Sequence, residues 1–296
     1  MRLRFVVAVV VVLYWRFADM IPKALLEIDG HYSRIPYDLN SSQVIPYNLN
    51  SSQVIPHELN RSQVCPDPSA GYVPQIIHQT YKSNDLPEMF MKWREECKAL
   101  NPCWEFKLWT DDDNLNLVNS SFPELLPLYE GYDVNIKRID AVRYMMLHKY
   151  GGVYMDMDLA CLRSFNESTF REPNTFYGAR QFRAKSTHPH QRVANAFMAS
   201  TPGHHFLSRL LKGLNRTKDM HVLDATGPAF LTSMIDKEGQ NDTIVEFSIE
   251  EIFSTEYDQK EDIILCTRNK SLCMDKYPGY TVSLWTHTWY KDYNIA

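Results

Sequence analysis

No dense run of Lys and Arg occurs anywhere in the 296-residue chain, and 31 basic against 36 acidic residues leave a formal net charge of −5. That offers no electrostatic footing for a polyanion, so nucleic acid is excluded as a partner. None of the six cysteines falls in a C-x-x-C pair, which removes the usual frame of a structural zinc site. The longest apolar run, Phe5 to Trp15, is eleven residues, against the roughly 20 of an ordinary spanning helix. No small-x-small cleavage site follows it between Arg16 and Ala24, so a cleaved signal peptide lacks its usual end.

What stands at the N-terminus is Arg2 and Arg4 ahead of that run, with Tyr14, Trp15, Phe17 and Met20 around its end. This reads as a short uncleaved signal anchor over residues 1–17; a cleaved signal peptide and a buried strand are the alternatives. Arginines ahead of the run leave the rest of the chain in the lumen, giving a single-pass type II protein of the Golgi or ER membrane. Eight Asn-x-Ser/Thr sequons, at Asn40, Asn50, Asn60, Asn119, Asn166, Asn215, Asn241 and Asn269, agree with a lumenal location. So do the six cysteines. Cys97 with Cys103, and Cys266 with Cys273, are near enough to pair, which leaves Cys65 and Cys161 over.

Between anchor and domain runs a repeat of period ten: Ile35-Pro36-Tyr37-Asp38-Leu39-Asn40-Ser41-Ser42-Gln43-Val44, again from Ile45 and from Ile55, with a last partial copy at Cys65-Pro66. One proline per unit and clustered Asn/Ser resist helix and sheet interior, and units this short cannot build a solenoid core. Residues 18–72 therefore read as an extended stem, with a peptide-binding or adhesive tract as the alternative. Residues 73–296 read as one domain. Strands are expected at Gln75–Gln79, Trp104–Trp109, Val153–Met155, Phe176–Ala179 and Ala194–Ala199. Helices are expected at Leu86–Leu100, Val134–Lys149, His204–Leu214 and Gly227–Ile235, with a short helix or loop over Phe122–Tyr129. Alternation of this kind predicts an α/β fold with a parallel or mixed sheet covered by helices.

The most informative stretch is Gly151-Gly152-Val153-Tyr154-Met155-Asp156-Met157-Asp158. Ile136, Ile139, Arg143, Met146 and Tyr150 follow helical spacing ahead of it. The double glycine ends that helix, with a left-handed C′ position expected, and a buried strand delivers two carboxylates at its end. Side chains at i and i+2 of extended backbone share a side, so Asp156 and Asp158 can approach one hard cation, Mn²⁺ or Mg²⁺. Ligands of such sheets bind outside the carboxyl ends of the strands. Asp140 and Arg143 share a helix face, either as a local ion pair or as a sugar-contacting pair. The Asp111-Asp112-Asp113 triplet is a competing metal candidate, with helix N-capping as its expected role.

The segments Arg138-Ile139-Asp140-Ala141-Val142-Arg143-Tyr144, Tyr150-Gly151-Gly152-Val153-Tyr154 and Asp156-Met157-Asp158 resemble the sugar-binding region of DXD glycosyltransferases. The nearest group is that of the inositol-phosphoceramide mannosyltransferases and initiating alpha-1,6-mannosyltransferases, glycosyltransferase family 32. Val73–Thr80, Trp93, Asn101-Pro102, Leu108–Asp111, Asn195–His204, Thr226-Gly227-Pro228 and His287-Thr288-Trp289 extend the resemblance over about residues 73–290. It implies a GT-A-like fold and a retaining, metal-dependent hexosyltransferase without a covalent nucleophile. The donor would be a nucleotide sugar, GDP-mannose ahead of UDP-galactose or UDP-glucose, and the acceptor a glycolipid or glycan. By the same resemblance, Asp156, Asp158 and His287 would hold the metal. Asp140 and Arg143 would hold sugar and phosphate, and His78, Gln79, Tyr144, Thr288 and Trp289 would complete the donor side. Asn195 and Gly227 would lie on the acceptor side. Members acting on sphingolipids often carry further C-terminal membrane spans, and the sequence up to Ala296 holds none, which brings an N-glycan core forward as the rival acceptor. Two other functions compete: a metal-dependent phosphohydrolase, for which the several histidines expected of a two-metal site are lacking, and a non-catalytic lumenal carbohydrate-binding protein, against which the intact Asp156, Asp158, Asp140 and Arg143 argue.

Overall fold

The computed structural model of the protein describes residues 65, 72–166, 168–183, 188–239 and 242–286. The expected anchor, the decapeptide repeats, and His287, Thr288 and Trp289 lie outside the described residues. In chain order the elements are β1 (Ile76–Thr80), α1 (Glu88–Leu100), β2 (Glu105–Trp109), α2 (Asp111–Ser121), α3 (Leu126–Glu130), α4 (Asn135–Tyr150), β3 (Gly152–Met155), β4 (Leu159–Cys161), β5 (Thr175–Arg180), β6 (Val193–Ser200), α5 (His205–Thr217), α6 (Val222–Ala225), α7 (Pro228–Glu238), β7 (Thr243–Phe247), α8 (Lys260–Arg268), α9 (Lys270–Lys276) and β8 (Thr281–Ser283).

The main sheet runs β2-β1-β3-β6-β5-β7. β1 is parallel to β2 and β3, β6 is antiparallel to β3 and β5, and β7 is parallel to β5. All strands but β6 therefore point the same way, so the carboxyl ends of β1, β2, β3, β5 and β7 share one edge. The mixed α/β sheet is as the alternation predicts. β7 and the antiparallel pair β4–β8, in which Leu159 faces Ser283, are additions.

The pleat sorts the core into two faces. From β3, Tyr154 packs with Tyr144, Met145 and Leu147 of α4 on one face. Val153 and Met155 pack on the other with Phe165, Phe197 and Phe253. α4 is buried from Ile136 through Leu147 over most of its circumference, because the sheet lies under it and α2 and α5 flank it. It stops at Gly151, with φ 63° and ψ −156°. This differs from the expected left-handed cap: φ is positive, but ψ belongs to a region open essentially only to glycine. A Cβ on Gly151 would lie 2.7 Å from Pro202 Cδ, and one on Gly152 (φ 89°) 2.5 Å from the Ile76 carbonyl oxygen. Close backbone approach between β1 and β3 thus requires the second glycine.

Two expectations are corrected. Cys97 bonds to Cys161 and Cys65 to Cys103, while Cys266–Cys273 forms as expected. The chain had brought α1 and β4 together, which sequence proximity could not show. At the acid triplet the N-cap of α2 is Thr110: its hydroxyl accepts from the Asp113 N–H, and the Asp113 carboxylate accepts from the Thr110 N–H at 2.9 Å, a capping box. Residues 123–125 form a 3₁₀ turn leading into α3.

Candidate active site

β3 delivers Asp156 to the carboxyl edge of the sheet, on the same side of the strand as Tyr154. That side faces α4, and two α4 residues reach it. Arg143 Nη2 lies 3.3 Å from Asp156 Oδ1, its Nη1 lies 3.5 Å from Asp140 Oδ1, and the guanidinium stacks 4.8 Å over the Tyr154 ring. The Tyr154 hydroxyl donates to Asp156 Oδ1 at 2.7 Å, and Arg143 Nη1 donates to the Asn195 carbonyl at 3.1 Å.

The backbone then turns, with the Leu159 N–H donating to the Asp156 carbonyl at 3.1 Å. Asp158 is consequently held from another direction. Thr286, just past β8, donates to Asp158 Oδ2 through both its N–H and its hydroxyl at 3.0 Å. A turn, rather than an extended i, i+2 pair, brings the two carboxylates together. Their proximity is felt electrostatically, since Asp158 raises the affinity of Asp156 for its proton. The contacts from other described residues fall on one oxygen of each, Oδ1 of Asp156 and Oδ2 of Asp158.

Burial dominates the titration of the cluster. It pushes Asp156 up to about 6 against the pull of Arg143. Asp140, 4% exposed, is likewise pushed up to about 6 by burial, opposed by Arg143 and by hydrogen bonds from Asn195 and Thr226. Burial also raises Asp158, offset in part by Thr286. Burial works against the charge of Arg143, but Asp156, Tyr154 and Asp140 more than offset it and the guanidinium stays charged. Three carboxylates thus surround one guanidinium, leaving a formal excess of two negative charges. The buried Arg143 Nε has no hydrogen-bond partner. An anionic oxygen donor set beside an orphaned cationic N–H suits a hard divalent cation carrying an anionic ligand. Among the described residues no group of three metal-ligating side chains forms.

The other expected residues fall as follows. His78 is fully buried and both ring nitrogens are engaged: Trp109 Nε1 donates to Nδ1 at 3.1 Å, and Nε2 lies 2.9 Å from the Gly151 carbonyl. Neither is open to a nucleotide. Gln79 is buried and accepts from Arg94. The Tyr144 hydroxyl donates to the Thr226 carbonyl at 2.6 Å inside the core. Asn195 is buried, and Gly227 caps α7; both lie beside Thr226, whose hydroxyl donates to Asp140 Oδ2 at 3.1 Å. Tyr154 and Thr226 stood inside the quoted motifs without a role, and Thr286 was not singled out. The signal for the last two was their place next to Gly227 and His287.

Residues 87–175 match the family model of a glycosyltransferase sugar-binding region containing a DXD motif. Over 166 residues, 54% of this chain, the sequence is 36% identical to inositol phosphoceramide mannosyltransferase 3 of Schizosaccharomyces pombe, of which the match covers 44%. It is 34% identical, again over 54% of the chain, to mannosyl phosphorylinositol ceramide synthase CSH1 of Saccharomyces cerevisiae, of which 42% is covered. The chain spans less than half the length of these two curated relatives. Among solved structures the PaToxG glycosyltransferase shares 16% identity, with a TM-score of 0.45 over 57% of this chain and 70% of that one, a likeness too weak to define the fold. By sequence, residues 87–175, which include the Asp156–Asp158 turn, match the sugar-binding region of DXD-containing glycosyltransferases, in a chain similar over about half its length to yeast inositol phosphoceramide mannosyltransferases.

Proposed function

We propose that the protein is a metal-dependent, retaining hexosyltransferase of GT-A-like fold that moves mannose from GDP-mannose to a glycolipid or glycan. The relatives' names, which specify mannose transfer onto inositol phosphoceramide, support mannose as the sugar and a sphingolipid head group as the acceptor to test first. The observation that carries the reading is the Asp156–Asp158 turn at the carboxyl edge of the sheet, each carboxylate steadied through one oxygen, with Arg143 beside them.

Asp156 and Asp158 would hold Mn²⁺ or Mg²⁺, and His287, next in sequence after Thr286, is the proposed third ligand. The ion would supply Lewis-acid neutralisation of the diphosphate that leaves. Arg143 orients Asp156. Asp140, fixed by Thr226, accepts from sugar hydroxyls. Thr288 and Trp289, outside the described residues, would complete the donor side. All six cysteines are paired and Asn119, Asn166, Asn215 and Asn269 are exposed, which supports a lumenal location. Residues 1–17 would anchor the chain in a Golgi or ER membrane and 18–72 would form the stem. Among the described residues no helix is long and apolar enough to cross a membrane.

Arg143 is a poor probe of this chemistry, since removing it would leave buried carboxylates uncompensated at a cost of about 3–5 kcal/mol in stability. Asp158→Ala is the better one. Incubated with radiolabelled GDP-mannose, inositol phosphoceramide and Mn²⁺, the wild type is expected to form a mannosylated lipid, and Asp158→Ala to lose at least about a hundredfold in rate. Transfer from UDP-sugars alone would overturn the choice of mannose. An unaffected Asp158→Ala would overturn the metal site.

A further inference from the structure

Three segments are in contact: the connection after β5, the loop after β7 and the segment after β8, the last of which carries Thr286 against Asp158. Each brings an aromatic ring, and the rings form a row. Phe253 stacks on Trp285 with centroids 5.8 Å apart. Trp285 meets Tyr257 edge-on at 6.3 Å, Tyr257 meets Phe182 edge-on at 6.4 Å, and Phe182 lies 5.5 Å from His188. The row begins one residue from Thr286, the residue that holds Asp158. Its inner end is core, with Phe253 1% exposed and Trp285 packed against it, whereas its outer end is not: Tyr257 is 50% exposed and Phe182 is only partly covered.

The row is held rigidly. Trp285 Nε1 donates to the Thr255 carbonyl at 3.1 Å, and the Arg183 N–H donates to Glu256 Oε1 at 2.8 Å, tying the connection after β5 to the loop after β7. Trp285 and Ser254 both adopt positive φ, 45° and 58°. Non-glycine residues keep such strained backbone only where their surroundings over-determine it. Charge in this corner is already matched. Arg180 and Arg192 each reach Glu246 at 2.8 Å, Arg192 also reaches Asp236, and Arg183 lies between Glu250 and Glu256. Every arginine of the corner is answered by a carboxylate, so the surface offers aromatic faces rather than a phosphate-binding basic cluster.

We propose that Phe182, Tyr257 and Trp285 form the acceptor platform, on which a neutral polyol ring, pyranose or cyclitol, stacks with a hydroxyl directed toward Asp158. The electron-rich ring faces meet the electropositive C–H face of the polyol, leaving its hydroxyls free. This rests on the glycosyltransferase reading, and names its acceptor surface.

The test is saturation-transfer NMR on the full chain with myo-inositol, methyl α-mannopyranoside and myo-inositol 1-phosphate, comparing the wild type with Tyr257→Ala, Phe182→Ala and Tyr257→Trp. Stabilisation by GDP with Mn²⁺ checks fold and donor site in each variant. We expect transfer to the carbon-bound protons of at least one ring. Its dissociation constant should rise about three- to tenfold in the alanine variants and recover in Tyr257→Trp, with no gain from the phosphate. Preference for the cyclitol marks a lipid head group as the source, preference for the pyranose a glycan, and either supports the platform. Binding unchanged by the alanine substitutions, absent for every ring, or dependent on the phosphate overturns it. Loss of GDP–Mn²⁺ stabilisation in the wild type would instead count against the glycosyltransferase reading, while the polyol signal still reports on the row.

Discussion

Thr286 makes two hydrogen bonds to one oxygen of Asp158, and each favours the charged carboxylate over the protonated one. Thr286→Val removes the hydroxyl donor. Outer partners of this kind tune metal affinity by about 10–100-fold, so Mn²⁺ affinity measured by calorimetry should fall about tenfold with the fold intact. An unchanged affinity would show that Thr286 only fastens β8. His78 gives a second prediction. Burial lowers its pKa from 6.5 to about 4, so the unfolded chain takes up a proton as pH falls through 6.5 while the folded chain does not until about 4. Its contribution to stability is complete above 6.5 and is lost between 6.5 and 4, on the order of 3 kcal/mol in all. Asp140 and Asp156, raised from 3.8 to about 6, work the other way: protonating them as pH falls through 6 favours the folded state. The ring resonance of His78 itself separates these effects. It should hold still through pH 6.5 and move only near 4; titration near 6.5 would contradict the buried, doubly bonded ring.

At the scale of elements, the junction between α4 and β3 decides whether Asp156 reaches the sheet edge in register. Gly152→Ala would place a methyl 2.5 Å from the Ile76 carbonyl at a φ of 89°. A cost of roughly 2–4 kcal/mol is expected in denaturant unfolding, because β1 and β3 must part to accept it. A change below about 0.5 kcal/mol would mean that the junction is looser than drawn. This junction was legible in the sequence, because a helical spacing that stops at two glycines before a short apolar run has one economical reading. α1, β2, β5 and β6 were legible for similar reasons. The turn at Asp156–Leu159 was not, since Asp-x-Asp fits extended and turning backbone alike. Nor was β8, three residues long and paired with β4 across 120 positions of sequence, because nothing local in Thr281–Ser283 names its partner. Thr286 was hidden with it.

For the molecule as a whole, the site is assembled from distant stretches: α4 and the end of β3 supply Arg143 and Asp156, the segment past β8 steadies Asp158, and the junction between α6 and α7 supports Asp140 through Thr226. The disulfide between Cys97 and Cys161 fastens α1 to β4, the strand that follows Asp158 in sequence. The sequence pointed to the carboxylates because their chemistry and spacing are local. It left the disulfides open because pairing depends on which chain segments the fold brings together. The central claim, that Asp156 and Asp158 share a cation bridging to a nucleoside diphosphate, is tested most directly by thermal stabilisation with GDP, UDP and other nucleotides, with and without Mn²⁺, in the wild type and Asp158→Ala. A ligand at a hundred times its dissociation constant stabilises by about 2.7 kcal/mol, a shift of several degrees. We expect that shift with GDP only when Mn²⁺ is present, and its loss in Asp158→Ala. Stabilisation that ignores the metal, or that survives in Asp158→Ala, would contradict the account.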